Sequence, residues 1–192
     1  MASAQAAAPA GAPLERNDAK VAAPSALAAA QAALDAYAPP AYAGTYTLVK
    51  LIGRGAYGAV YVATDAAGKR VAIKHVCNAF VSPTDARRIY REVKVMAHFA
   101  HPNVLQLVEV VPPREPAAFT QIYIVVPLME TDLHRVVTSQ QDLTSDHVSY
   151  FVYQTLAALA HIHAAGVLHR CVRCGRGESS RLGGPARSVA HA

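Results

Sequence analysis

Gly53, Gly55, Gly58, Lys74 and Glu92 are the residues whose types and spacing suit chemistry on a phosphate. The glycines stand in Gly-Arg-Gly-Ala-Tyr-Gly-Ala-Val at 53–60, a G-x-G-x-x-G-x-V loop. Its backbone amides can approach an anion with no side chain in the way. Such a trio also opens dinucleotide-binding folds, where a helix follows directly and an acidic residue comes about 20 positions on. Here Val60-Tyr-Val62 favours a strand, and Val-Cys-Asn-Ala-Phe at 76–80 offers no carboxylate. The pattern fits a flap between two strands, lying over phosphates.

Lys74 closes Val-Ala-Ile-Lys at 71–74. Alternate residues of a strand share a face, so Ala72 and Lys74 lie together, and small Ala72 leaves room for a flat ligand beside the ammonium. A solvated strand lysine is the bland alternative. Glu92 follows Ile89 by three positions and borders an apolar helical stripe, where it can partner Lys74. Its alternative is a surface pair with Arg88, worth about 0.3 kcal/mol. A second cluster, His163, His169, Cys171 and Cys174, has C-x-x-C spacing that suggests zinc or redox chemistry. Tetrahedral zinc needs four converging ligands, and the aperiodic residues that follow argue against it.

The elements that must position these groups begin at Gly44, where branched and aromatic residues replace alanine and proline. Residues 45–52, 59–64 and 70–77 read as strands, the last two joined by the turn Asp-Ala-Ala-Gly at 65–68. Ser82 and Pro83 start a helix, with Asp85 suited to its positive end. Ile89, Val93, Met96 and Ala97 give that helix one packing face. Residues 104–111 and 120–126 read as two further strands around a proline-rich loop, the second ended by Pro127. Thr144 caps a long amphipathic helix over 145–165, with Val148, Val152, Leu156 and Leu159 on one stripe and Gly166 at its end. The expected fold class is α+β: a five-stranded antiparallel sheet with one inserted helix, then helices.

Composition narrows the functional classes. Residues 1–43 are mostly Ala and Pro and read as a disordered arm, with only a transient helix over 25–37. Arg16 is the sole arginine there, and Glu15, Asp18 and Asp35 argue against an organelle transit peptide. No segment reaches the roughly 20 apolar residues of a membrane span. Most of the net charge of +5 sits after residue 170, so no central basic stripe points to nucleic acid. Three irregularly spaced cysteines and no secretory signal suggest a reducing compartment, the cytoplasm or the nucleus.

The flap, the Val-Ala-Ile-Lys strand and Glu92 together resemble the N-terminal lobe of eukaryotic protein kinases. Gly-Ala-Tyr-Gly at 55–58, Leu-Met-Glu-Thr-Asp-Leu at 128–133, the segment 145–154 and His-Ile-His-Ala-Ala-Gly-Val-Leu-His-Arg at 161–170 resemble the mitogen-activated protein kinases. The resemblance implies an N-lobe and hinge over 44–130, the start of a C-lobe over 131–170, and a non-family, disordered tail over 171–192. It implies transfer of the γ-phosphoryl group of ATP, with Mg²⁺, to serine or threonine of protein substrates, under an upstream kinase. Gly53, Gly55 and Gly58 would cover the phosphates, Lys74 would hold them, and Glu92 would orient Lys74. Ile52, Val60 and Ala72 would enclose the adenine, Pro127 and Met129 would bind it through the backbone, and Asp132 would accept from the ribose. Val126 would gate the back pocket.

The family's catalytic loop reads H-R-D-L-x-x-x-N, followed by D-F-G and A-P-E. Here His169-Arg170 is followed by Cys171 and, at the asparagine position, Arg176; neither later motif occurs in the sequence. A thiol is a poor substitute for the aspartate, and losing a general base costs roughly 10²- to 10⁴-fold. The chain is therefore expected to be inactive by itself. The alternatives are a non-catalytic fragment that binds nucleotide or a partner, or a gene-model artefact without function.

Overall fold

Valine, isoleucine and tyrosine at alternating positions build the sheet in the computed structural model, which describes residues 24–55 and 58–169. The chain runs α1 (Pro24–Tyr37), a 3₁₀ turn (Pro40–Tyr42), β1 (Tyr46–Gly55), β2 (Gly58–Asp65), β3 (Arg70–Val76), α2 (Pro83–His98), β4 (Glu109–Val111), β5 (Ile122–Pro127), α3 (Leu133–Thr138) and α4 (Ser145–Ala164). The five strands form one sheet of order β1-β2-β3-β5-β4, every neighbouring pair antiparallel. This is the expected α+β arrangement, with α2 inserted between β3 and β4.

Each face of the sheet has its own apolar cluster. On one face Tyr61, Ala63, Val71, Ile73, Tyr123 and Val125 pack with Leu34 and Tyr37 of α1. On the other, Val76 and Ile124 pack with Ile89 and Met96 of α2, with Val93 and Val126 alongside. Strand periodicity sends successive residues to opposite faces, so Ile73 and Lys74 look toward different helices.

The expectation of a disordered arm over 1–43, with folding from Gly44, is corrected for residues 24–43. α1 is docked: Leu34, Tyr37 and Ala38 are buried, and Leu27 and Ala30 pack against the same cluster. Leu27, Ala30, Leu34, Tyr37 and Ala38 recur at helical spacing, so the stripe is continuous once alanine counts as a packing residue. Arg114 fastens the helix end: its backbone N–H donates to the Tyr37 carbonyl at 2.6 Å. Its Nε donates to the Ala38 carbonyl and its guanidinium nitrogen to that of Asp35, each at 3.2 Å. These donors satisfy carbonyls that a helix end leaves without internal partners.

Two further expectations change. The strand over 104–111 shortens to Glu109–Val111, because a turn with the Val104 N–H bonded to the His101 carbonyl at 3.1 Å takes up its start. In α4 the buried residues are Ala158 and Ile162, while Val148, Val152 and Leu156 are exposed. The α4 surface that packs meets the segment after α2, where the His161 ring stacks on His101 at 4.8 Å and lies edge-on to Phe99 at 5.5 Å. The Asn103 amide donates to the Gln154 carbonyl at 3.2 Å.

Other local readings are met. Ser82 accepts from the Asp85 N–H at 3.1 Å, with Pro83 in the first turn of α2. Thr144 and His147 form a reciprocal capping box at the start of α4. Gly68 (φ 81°) and Gly166 (φ 73°) hold the left-handed conformation that the hairpin turn and the helix end require.

Candidate functional site

The register of three antiparallel pairings places Gly53 of β1, Val60 of β2, Lys74 of β3 and Ile124 of β5 side by side. The next same-face row holds Val62, Ala72 and Val126. Val60, Ala72, Lys74 and Val126 therefore share the sheet face that carries α2. Ile52 has no strand partner; it sits in the register shift between Leu51 and Gly53, and it is exposed.

Lys74 and Glu92 meet. Lys74 Nζ donates to Glu92 Oε1 at 2.5 Å, and each side chain is 18% exposed. Ile89 and Met96, buried one turn to either side of Glu92, press α2 onto Val76 and Ile124 and aim the carboxylate at β3. The solvated-lysine alternative for Lys74 is excluded. Arg88 pairs with Asp85 at 3.3 Å. A charge-assisted bond of this length, largely shielded from water, holds the ammonium in one place.

The glycines have different physical reasons. Gly55 and Gly58 pair across the tip of the β1–β2 hairpin. Gly58 has φ 148°, and a Cβ there would lie 1.8 Å from the His75 carbonyl oxygen, so no other residue fits. A Cβ at Gly55 would meet nothing within 4 Å, and one at Gly53 only the Val60 Cβ at 3.9 Å. Those two positions leave room above the sheet for a ligand. With the Lys74 ammonium in the same row as Gly53, the described residues fit a polyphosphate. Magnesium is different: among the described residues no cluster of three His, Cys, Asp or Glu side chains could hold a metal.

Beyond the sheet, Pro127 ends β5 opposite Val71, and Met129 is exposed just after it. Asp132 caps α3, its Oδ1 accepting from the Arg135 N–H at 2.8 Å and its Oδ2 lying 3.6 Å from Arg135 Nε. Any ribose contact by Asp132 must share that carboxylate with the helix cap. Cys171 and Cys174 lie outside the described residues.

One arrangement escaped the sequence reading. Arg87, Arg91, Lys94 and His98 recur at helical spacing on α2 and line a cavity of about 640 Å³, with Phe99, Ala165 and Val167 as further walls. It includes neither Lys74 nor a flap glycine. The cation spacing alone was the available signal.

Residues 46–173 match the family model of the protein kinase domain, a span that continues past Arg170 through Cys171. "Extracellular signal-regulated kinase 1" of Dictyostelium discoideum is 47% identical over 126 residues, covering 65% of this chain and 24% of that protein. "Mitogen-activated protein kinase homolog NTF6" of Nicotiana tabacum is 46% identical over 123 residues, covering 64% and 33%. "Serine/threonine kinase NLK" of Caenorhabditis elegans is 43% identical over 125 residues, covering 65% and 20%. The chain thus spans between a fifth and a third of the length of these relatives. Sheet order, flap, lysine–glutamate pair and these likenesses agree, and the chain belongs to the protein kinase family, on its mitogen-activated branch.

Proposed function

We propose that this chain forms the nucleotide-holding part of a serine/threonine protein kinase of the mitogen-activated type. The complete protein would transfer the γ-phosphoryl group of ATP to hydroxyls of protein substrates and would itself answer to an upstream kinase. The Lys74–Glu92 pair carries this reading. Lys74 would neutralise phosphate charge, Glu92 would keep the ammonium from swinging into water, and the amides around Gly53 and Gly55 would lie over the phosphates. Val60, Ala72 and Val126 offer an apolar wall to the base, with the backbone of Pro127 and Met129 at its edge. ATP supplies the phosphoryl group; magnesium ligands would have to come from outside the described residues.

Calorimetry of the full chain with ATP and magnesium tests this. Binding that disappears in Lys74→Met supports the reading, and the absence of any heat with the unaltered chain overturns it.

A second reading is favoured by Cys171, which stands where the family's general-base aspartate belongs. In that reading the chain binds nucleotide without transferring phosphate. Labelled ATP and a generic protein substrate separate the two: binding with no labelled product favours the second, and labelled product removes it.

A further inference from the structure

We propose that Gln31 of α1 is a positioning residue for the nucleotide flap, acting through the outer edge of β1. The proposal rests on the nucleotide reading above. β1 is an edge strand, paired with β2 on one side only. On its other side, Gln31 takes the place of a neighbouring strand. Gln31 Oε1 accepts from the Leu48 N–H at 2.7 Å, and Nε2 donates to the Tyr46 carbonyl at 3.1 Å. The same Nε2 donates to Asp35 Oδ1 at 3.0 Å, which fixes the rotamer of the amide. Both hydrogens and the oxygen of the side-chain amide are thereby used.

Immediately beyond this clamp the β1 ladder becomes irregular. The register shifts once between Leu48 and Lys50 and again between Leu51 and Gly53. Each such irregularity bends and twists the strand, so the β2 ladder alone leaves its direction weakly set. The direction in which β1 leaves Leu48 decides how high Gly53 and Gly55 stand over Lys74. Gln31 fixes that departure point, and α1 is itself rigidly seated. Its far end is bonded to Arg114, and Leu34 and Tyr37 are buried in the sheet. The hydroxyls of Tyr42 and Tyr46 both donate to the Glu109 carboxylate on β4, so the segment that links α1 to β1 is tied down as well. α1 is thus a brace that runs from the β4–β5 side of the sheet to the base of the flap.

The experiment uses the full chain, with Gln31→Met, which keeps length but no amide, and Gln31→Glu, which keeps only the acceptor for Leu48. Ile162→Ala, at a buried position of α4 outside both sheet clusters, serves as a control that loosens packing without touching α1 or the β1 edge. Two readouts are taken: affinity for ATP with magnesium, and amide hydrogen exchange at Leu48, Gly53 and Gly55. In Gln31→Met, affinity is expected to fall about fivefold to tenfold, with faster exchange at all three amides. In Gln31→Glu the changes are in the same direction and smaller. Ile162→Ala lowers the thermal midpoint yet leaves affinity within about twofold of the unaltered chain. Unchanged exchange at Gly53 and Gly55 in both Gln31 variants overturns the proposal, as does an affinity loss in Ile162→Ala equal to that in Gln31→Met. If Gln31→Met does not fold, Gln31→Glu is held to the same comparison. Failure of the unaltered chain to bind ATP overturns the nucleotide reading instead, while the exchange arm still decides whether Gln31 sets the flap.

Discussion

His75 lies flat against Tyr123, ring centroids 4.2 Å apart and planes within 1° of parallel. Its Nε2 is 2.8 Å from Gln121 Oε1, and the Cys77 sulfur packs 3.6 Å from that nitrogen. Burial holds the imidazole below its ordinary 6.5, and the Gln121 bond offsets part of that effect. The unfolded chain therefore takes up this proton first as pH falls. The stability contributed by neutral His75 is complete above pH 6.5 and is lost as pH falls from there through the folded value. His75→Phe keeps a ring on Tyr123 without a titrating proton. Its thermal midpoint should fall less between pH 7 and pH 5 than that of the unaltered chain, and parallel pH curves would refute this.

Replacing Glu92 with Gln removes the charge but not the shape of the partner to Lys74. Affinity for ATP should drop on the order of tenfold, about 1.4 kcal/mol, because the ammonium is no longer held in place. Fold stability should change by about 1 kcal/mol, since both side chains keep some contact with water. Calorimetry beside a urea melt separates the two effects; a loss of stability with affinity unchanged would show that Glu92 serves only the fold.

Gly58 and Gly55 should respond differently to the same methyl group. Gly58→Ala drives Cβ into the His75 backbone and should cost about 1–3 kcal/mol, as overpacking does. Gly55→Ala places Cβ in open space and should stay within about 0.5 kcal/mol. Chemical denaturation of the two variants gives the comparison. Equal stabilities would mean that the β1–β2 hairpin relaxes freely at its tip.

Val148, Val152 and Leu156 of α4 are 51%, 51% and 58% exposed, one apolar stripe facing water. Such a stripe favours self-association. Sedimentation at rising concentration should show oligomers, and joint replacement Val152→Lys and Leu156→Lys should shift the chain toward monomer. The helix should survive, because neither side chain is buried. Monomer at all concentrations in the unaltered chain would contradict this.

How much of this was readable from sequence depends on the range of the interaction. The flap, the faces of β3 and the caps at Ser82 and Thr144 follow from rules that act within a few residues, and the structure meets them. The meeting of Lys74 and Glu92 joins residues 18 positions apart, and it was legible because two local periodicities pointed at each other. α1 was misread because its anchors are distant: Gln31 to Tyr46 is a separation of 15, and Arg114 to Asp35 one of 79. No local window sees such partners, and alanine contributes little to an apolar count even where it packs. The stripe on α4 was legible as a pattern, but periodicity alone does not say whether an apolar face finds a neighbour.

The bonds from Gln31 to Tyr46 and Leu48 also bear on the company the molecule keeps in concentrated solution. An uncovered outer strand offers a row of donors and acceptors that an extended peptide from another molecule can zip onto. Here a side-chain amide already fills that row at the start of β1, and intermolecular sheet growth along that stretch would first have to evict it.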